Sequence, residues 1–124
     1  MKDLFRWDST FIGVSYLRIS IGASDLSAST FTYDDLPAVQ TDPNMDHFSI
    51  DKEKTDLIPV LKKILALNPN IKILGSPWTA PLWMKTNGAF IGGSLKPEHY
   101  AAYAKYFVKY IQAMKTEGIT IDAI

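Results

Sequence analysis

The most constraining feature of this chain is a strand, helix, strand succession within its first 76 residues. Tyr16-Leu17-Arg18-Ile19-Ser20-Ile21 alternates strictly, which places Leu17, Ile19 and Ile21 on one face of an extended segment and Arg18 and Ser20 on the other. From Thr55 to Leu67 the apolar positions Leu57, Ile58, Leu61, Ile64 and Leu65 recur at helical spacing. Pro59 is tolerable there only in the first turn, and Pro69 forbids continuation. Ile71-Lys72-Ile73-Leu74-Gly75-Ser76 follows after a connection short enough to return the chain to the same parallel sheet. Together these segments predict a βαβ unit.

The rhythm continues. Tyr100, Tyr103, Ala104, Phe107, Val108, Ile111 and Met114 keep the pattern of one helix face between Pro97, suited to a first turn, and Gly118, suited to a C-terminal cap. Ile119 to Ile124 reads as the start of a third strand, and Leu4 to Phe11 as the tail of a helix preceding the first. Residues 1–124 therefore form one unit, without internal repeat or linker, of an α/β fold with parallel strands and flanking helices. A complete (β/α)8 barrel takes roughly 250 residues, so 124 residues correspond to part of one.

Composition narrows the partner. The chain is 47% hydrophobic and 21% charged, enough to bury a core. Thirteen basic residues balance thirteen acidic ones, so neither nucleic acid nor an anionic membrane is an expected partner. No apolar run approaches the roughly 20 residues of a membrane span, and no signal peptide is visible. There are no cysteines, and His47 and His99 stand far apart, so no metal site is expected. No glycine-rich phosphate loop precedes a helix, so no cofactor is expected either.

Two long connections, Ala23 to Ser49 and Pro77 to Lys96, both follow strands, which is where parallel α/β folds place ligands. Arg18 on the polar strand face requires a carboxylate or a ligand oxygen; it belongs either to a structural network or to a site. Asp25, shortly after the first strand, can accept hydrogen bonds from ligand hydroxyls, and Ser24-Asp25-Leu26-Ser27 also reads as an ordinary turn. Trp78 and Trp83 lie in Ser76-Pro77-Trp78-Thr79-Ala80-Pro81-Leu82-Trp83, where two prolines stiffen the backbone; they suit stacking on a sugar ring, or packing as loop aromatics. Lys85-Thr86-Asn87-Gly88 reads as a tight turn. The tyrosines of the second helix are expected to pack that helix and its rim. Asp34, Asp35, Asp51, Glu53 and Asp56 are expected to be solvated or to cap helices.

Several segments in order, Leu17 to Ser27, Thr32-Tyr33-Asp34-Asp35, Ser76 to Pro81, Trp83 to Gly88 and Tyr106-Phe107-Val108-Lys109-Tyr110, resemble glycoside hydrolase family 30, the glucosylceramidase and endo-β-1,6-glucanase family. The resemblance covers nearly the whole chain. It implies a (β/α)8 TIM barrel with an attached β domain, of which these residues supply roughly units 2 to 4. It also implies cleavage of β-glycosidic bonds with retention, through two glutamates about 5 Å apart. By the same resemblance Arg18 corresponds to a barrel-interior arginine, Asp25 to an aspartate that binds sugar hydroxyls, and Trp78 to a tryptophan of the same pocket, with Trp83 and Asn87 as further cleft-lining candidates. Both glutamates are expected beyond Ile124, the first in an Asn-Glu-Pro motif, so the chain carries no catalytic residue and is expected to be inactive alone. Leu26 stands where the family commonly has phenylalanine and Ser20 where many members have proline, which leaves substrate choice open. The loop Gly92 to Pro97 fits microbial members.

The expected partners are a β-linked glucoside or glucan and the remainder of the barrel, in a parent protein that is secreted or periplasmic by family resemblance. The rival reading is a small non-catalytic α/β module that holds carbohydrate with Trp78, Trp83 and Asp25.

Overall fold

The computed structural model describes residues 1–124. In chain order its elements are α1 (Lys2–Phe5), β1 (Tyr16–Ile21), α2 (Leu57–Leu67), β2 (Lys72–Pro77) and α3 (Tyr100–Thr116). Strands β1 and β2 pair in parallel, with Leu17 opposite Ile73, Ile19 opposite Gly75 and Ile21 opposite Pro77. The predicted βαβ unit is therefore present, its helix entering through Asp56 and carrying Pro59 in the first turn.

The sheet has one closed face. Ile19, Ile21 and Ile73 are buried with Ile58 and Leu61 of α2 and with Tyr106, Tyr110 and Met114 of α3 in one apolar cluster. Gly75 makes this packing possible, since a Cβ there would lie 3.0 Å from Cδ1 of Ile21 and 3.2 Å from the Tyr110 ring. Arg18 and Ser20, with Leu74 and Ser76 of β2, occupy the opposite and more open face.

Three local expectations are corrected. The N-terminal helix is a single turn, Lys2–Phe5, and does not reach Phe11: Arg6 is already extended, and the Asp8 carboxylate takes the Thr10 backbone N–H at 3.0 Å, closing a turn that competes with helix. The buried stripe of α3 is Ala102, Tyr106, Tyr110 and Met114, while Tyr100, Ala104 and Val108 face solvent. The stripe is set from a distance, because the Tyr33 ring stacks on Tyr106 and Tyr110 with centroids 6.1 and 5.7 Å away.

The third correction concerns Ile119 to Ile124, which does not form a continuous strand. It meets β2 through one parallel bridge, Leu74 to Ala123, with Gly75 N–H donating to the Ala123 carbonyl at 2.9 Å. A carboxylate oxygen of Asp122 accepts the Ile73 N–H at 2.9 Å in place of a strand carbonyl, so the ladder is interrupted where it would begin.

Candidate functional site

The open sheet face carries the first candidate. Arg18 donates from Nη2 to Ser76 Oγ at 3.2 Å, across the register that sets Ser20 beside Ser76. No carboxylate of the chain pairs with the guanidinium, so its remaining N–H donors are free for a ligand oxygen. Ser76 was not singled out from sequence; parallel register of the two alternating segments was the signal that could have found it. Ser20 is turned to its own strand end, donating from Oγ to the Gly22 carbonyl.

Asp25 and Trp78 leave the same end of the sheet. Asp25 sits in a turn closed by Ser27 N–H to the Ser24 carbonyl at 3.1 Å, with Ser24 Oγ accepting the Leu26 N–H at 3.2 Å. The turn reading and the ligand reading are thus compatible: the serines hold the turn and the exposed Asp25 carboxylate has no partner within the chain. Trp78 follows β2 directly and is 37% exposed, so part of its indole is available for stacking.

Trp83 and Asn87 are differently placed. Trp83 donates its indole N–H to Asp34 Oδ2 at 3.0 Å and meets the His99 ring edge-on at 4.8 Å. With Leu36, Val39, Thr86 and Lys96 it borders a cleft of about 570 Å³. Asn87 folds back on its own loop, donating to the Ile91 carbonyl at 2.9 Å and accepting the Ala89 N–H at 3.2 Å. Gly93, at φ +70°, is required beneath it because a Cβ would collide with the Asn87 carboxamide.

The Trp78 loop has a further clamp that sequence reading did not identify. Lys85 is buried, and its ammonium donates to Thr79 Oγ1 at 3.0 Å and to the Phe90 carbonyl at 2.9 Å. Burial holds its pKa below the usual lysine value.

Two acidic residues expected in solvent are instead buried. Glu53 accepts the Tyr33 hydroxyl at 2.8 Å, and burial raises its pKa. Asp34 is 1% exposed; Oδ2 accepts from Trp83 and Oδ1 has no partner. Burial pushes its pKa up to about 6, the nearby carboxylates of Asp42 and Asp35 adding to the rise and the Trp83 N–H and His47 opposing it. Their partners lie 49 and 20 residues away in sequence, which no local pattern discloses. Asp35 and Asp51 do behave as expected, the first capping the Thr32 N–H at 2.9 Å and both pairing with lysines. The largest cleft, about 790 Å³ beside Ser20, Phe31, Lys52 and Asp56, contains none of Arg18, Asp25 and Trp78.

All 124 residues match the model of the glycosyl hydrolase family 30 TIM-barrel domain. The chain belongs to this family. It is 42% identical over 123 residues to an endo-1,6-β-D-glucanase of Trichoderma harzianum, covering 89% of this chain and 25% of the relative. It is 35% identical over 121 residues to the lysosomal acid glucosylceramidase of Mus musculus, covering 90% of this chain and 23% of that enzyme. An endo-β1,6-glucanase of known structure superposes with a TM-score of 0.85 at 42% identity, over 97% of this chain and 27% of its own. The chain thus spans about a quarter of the length of its curated family 30 relatives. The fold is a family 30 TIM-barrel segment, with two parallel strands and their flanking helices. In a barrel the C-terminal strand ends carry the active site, and Asp25 and Trp78 lie just beyond them.

Proposed function

We propose that this chain forms one wall of the sugar-binding cleft of a retaining β-glycoside hydrolase whose substrate is a β-1,6-linked glucan. The observation that carries the reading is the common strand end from which Asp25 and Trp78 emerge, with Arg18 and Ser76 joined on the open face below. Their chemistry suits a neutral sugar: a free carboxylate for ring hydroxyls, an indole face for the apolar side of the ring, and guanidinium donors for oxygen. The β-1,6 linkage draws support from the glucanase relatives, which at 42%, 38% and 39% identity are more similar to this chain than the mouse glucosylceramidase at 35%. A polysaccharide substrate implies a parent protein that works outside the cytosol; no helix here is long and apolar enough to cross a membrane.

Within these residues there is no acid/base pair to break a glycosidic bond. Most carboxylates are committed: Asp8 to Arg6, Asp34 to Trp83, Asp35 to Lys52, Asp51 to Lys54, Asp42 to His47, Glu53 to Tyr33, Glu117 to Lys62 and Asp122 to Lys72. Asp25 has no second carboxylate joined to it, and retention requires two. The purified chain is therefore expected to bind sugar without cleaving it.

The test is a tryptophan-fluorescence titration of the chain with β-1,6-linked gluco-oligosaccharides, glucosylceramide in detergent and β-1,4-xylo-oligosaccharides, beside a reducing-sugar assay. Saturable quenching by the first ligand alone, absent in Trp78→Ala, is the expected result. Equal response to all three ligands would remove the linkage assignment, and release of reducing ends would remove the claim of inactivity.

A further inference from the structure

Asp34 spans a gap that the sugar-binding reading does not use. It belongs to the connection after β1, and its only side-chain hydrogen bond crosses to Trp83 in the connection after β2. Each end is tied to a site residue's segment. On one side Thr32 is capped by Asp35, and Ala23 N–H donates to the Phe31 carbonyl at 3.0 Å, closing the base of the loop that contains Asp25. On the other, Trp83 sits in the turn Leu82–Met84, joined to Trp78 through the buried Ala80 and Pro81 and through the Lys85 clamp on Thr79.

We propose that Asp34 is a proton-sensitive positioning residue, a latch that holds the Asp25 and Trp78 loops together when protonated and loosens when ionised. An ionised carboxylate here is buried with one oxygen unpaired, a cost that the single indole N–H does not offset, so ionisation draws Asp34 away from Trp83 and toward water. The buried Oδ1 is without a partner, so it is where a proton from solvent adds while Oδ2 remains against Trp83. The groups that bear on it are Asp35, Asp42 and His47 of its own connection, Tyr106 of α3, and His99 behind the Trp83 ring. Burial and the two neighbouring carboxylates place the transition near pH 6. The latch stands on this geometry; its bearing on sugar rests on the function proposed above.

The experiment follows the three indole N–H resonances of the ¹⁵N-labelled chain from pH 8 to pH 5, with no sugar present, so that its outcome is separate from that of the binding titration. Trp83→Phe and Trp78→Phe assign the peaks. In the wild type the Trp83 peak is expected to move downfield as the pH falls, with one midpoint near 6, and the Trp78 peak to follow with the same midpoint. Asp34→Asn should abolish both movements while His47→Gln preserves them. Movement that survives Asp34→Asn and vanishes in His47→Gln overturns the assignment to Asp34, and a Trp78 peak that stays fixed while Trp83 moves overturns the latch. Should Asp34→Asn not fold, Asp42→Asn serves instead: removing that neighbouring charge must lower the midpoint, and an unchanged midpoint overturns the proposal.

Discussion

The two faces of the β1–β2 sheet are made by the same twelve residues and treated in opposite ways. On one face Ile19, Ile21 and Ile73 disappear under α2 and α3, and even a Cβ on Gly75 would crowd its neighbours. On the other, the Arg18 side chain hydrogen-bonds Ser76 alone and stays exposed. A closed face derives its free energy from burial and close packing. An open face contributes little to stability and keeps its polar groups available. If the function proposed above holds, stability resides on one side of the sheet and recognition on the other, and substitutions on each side should separate the two quantities.

The sharpest way to break the contrast is from the closed side. Tyr106 is fully buried, stacked with Tyr33, and its hydroxyl accepts the Tyr33 N–H at 3.2 Å. Tyr106→Ala removes an aromatic volume and orphans a backbone donor, a cost of about 3–5 kcal/mol. For a domain of this size that is a large part of total stability. Urea denaturation should show a collapse of the midpoint or loss of the cooperative transition. A midpoint within experimental error of wild type would mean that the closed face is not what holds the chain together.

Asp34, which joins the two loops beyond the sheet, allows a test by pH. Its pKa is raised from 3.8 to about 6, so between those values the native chain retains a proton that the unfolded chain has lost. Stability contributed by this residue is complete below about pH 4 and falls as pH rises to about 6. The full shift corresponds to at most about 3 kcal/mol. Asp34→Asn keeps an oxygen for the Trp83 N–H but cannot ionise. Its melting temperature relative to wild type should therefore climb with pH across that window and level off above it. A difference that does not vary with pH would show that the Asp34 carboxylate is solvated.

A smaller gain is available in the loop after β1. Val39 is fully exposed and holds φ +65°, where a β-branched residue is strained by about 1–2 kcal/mol. Val39→Asn, which tolerates that conformation, should stabilise by about 1 kcal/mol or less in the same denaturation assay.

Which of these features could be read in advance follows from how local their causes are. The alternation of 16–21 and the 3.6-residue period of 100–116 are local, and β1 and α3 lie where those patterns put them. The face that α3 buries is not local: Tyr33 selects Tyr106 and Tyr110 from a helix with apolar residues on several sides. The same holds for the site. Arg18 was legible on the polar face of its strand and Asp25 and Trp78 as residues just past strand ends, whereas Ser76 becomes a partner of Arg18 only through register. The fixing of Trp83 by Asp34 and of Thr79 by Lys85 depends on two loops folding against each other and on themselves.

The least disruptive substitution discriminates most finely between stability and recognition. Arg18→Leu removes one exposed hydrogen bond, to Ser76 Oγ, and leaves no buried group unpaired because the serine hydroxyl can turn to water. Surface changes of this kind alter stability by no more than about 0.5 kcal/mol, so the urea midpoint should hardly move. Binding of β-1,6-linked gluco-oligosaccharides should nevertheless weaken by about tenfold, the consequence of losing one charge-assisted hydrogen bond worth about 1.4 kcal/mol. Unchanged stability with weakened binding is what separate roles for the two faces require. If binding also stays unchanged, Arg18 belongs to the sheet's own polar network, and the candidate cleft contracts to Asp25 and Trp78.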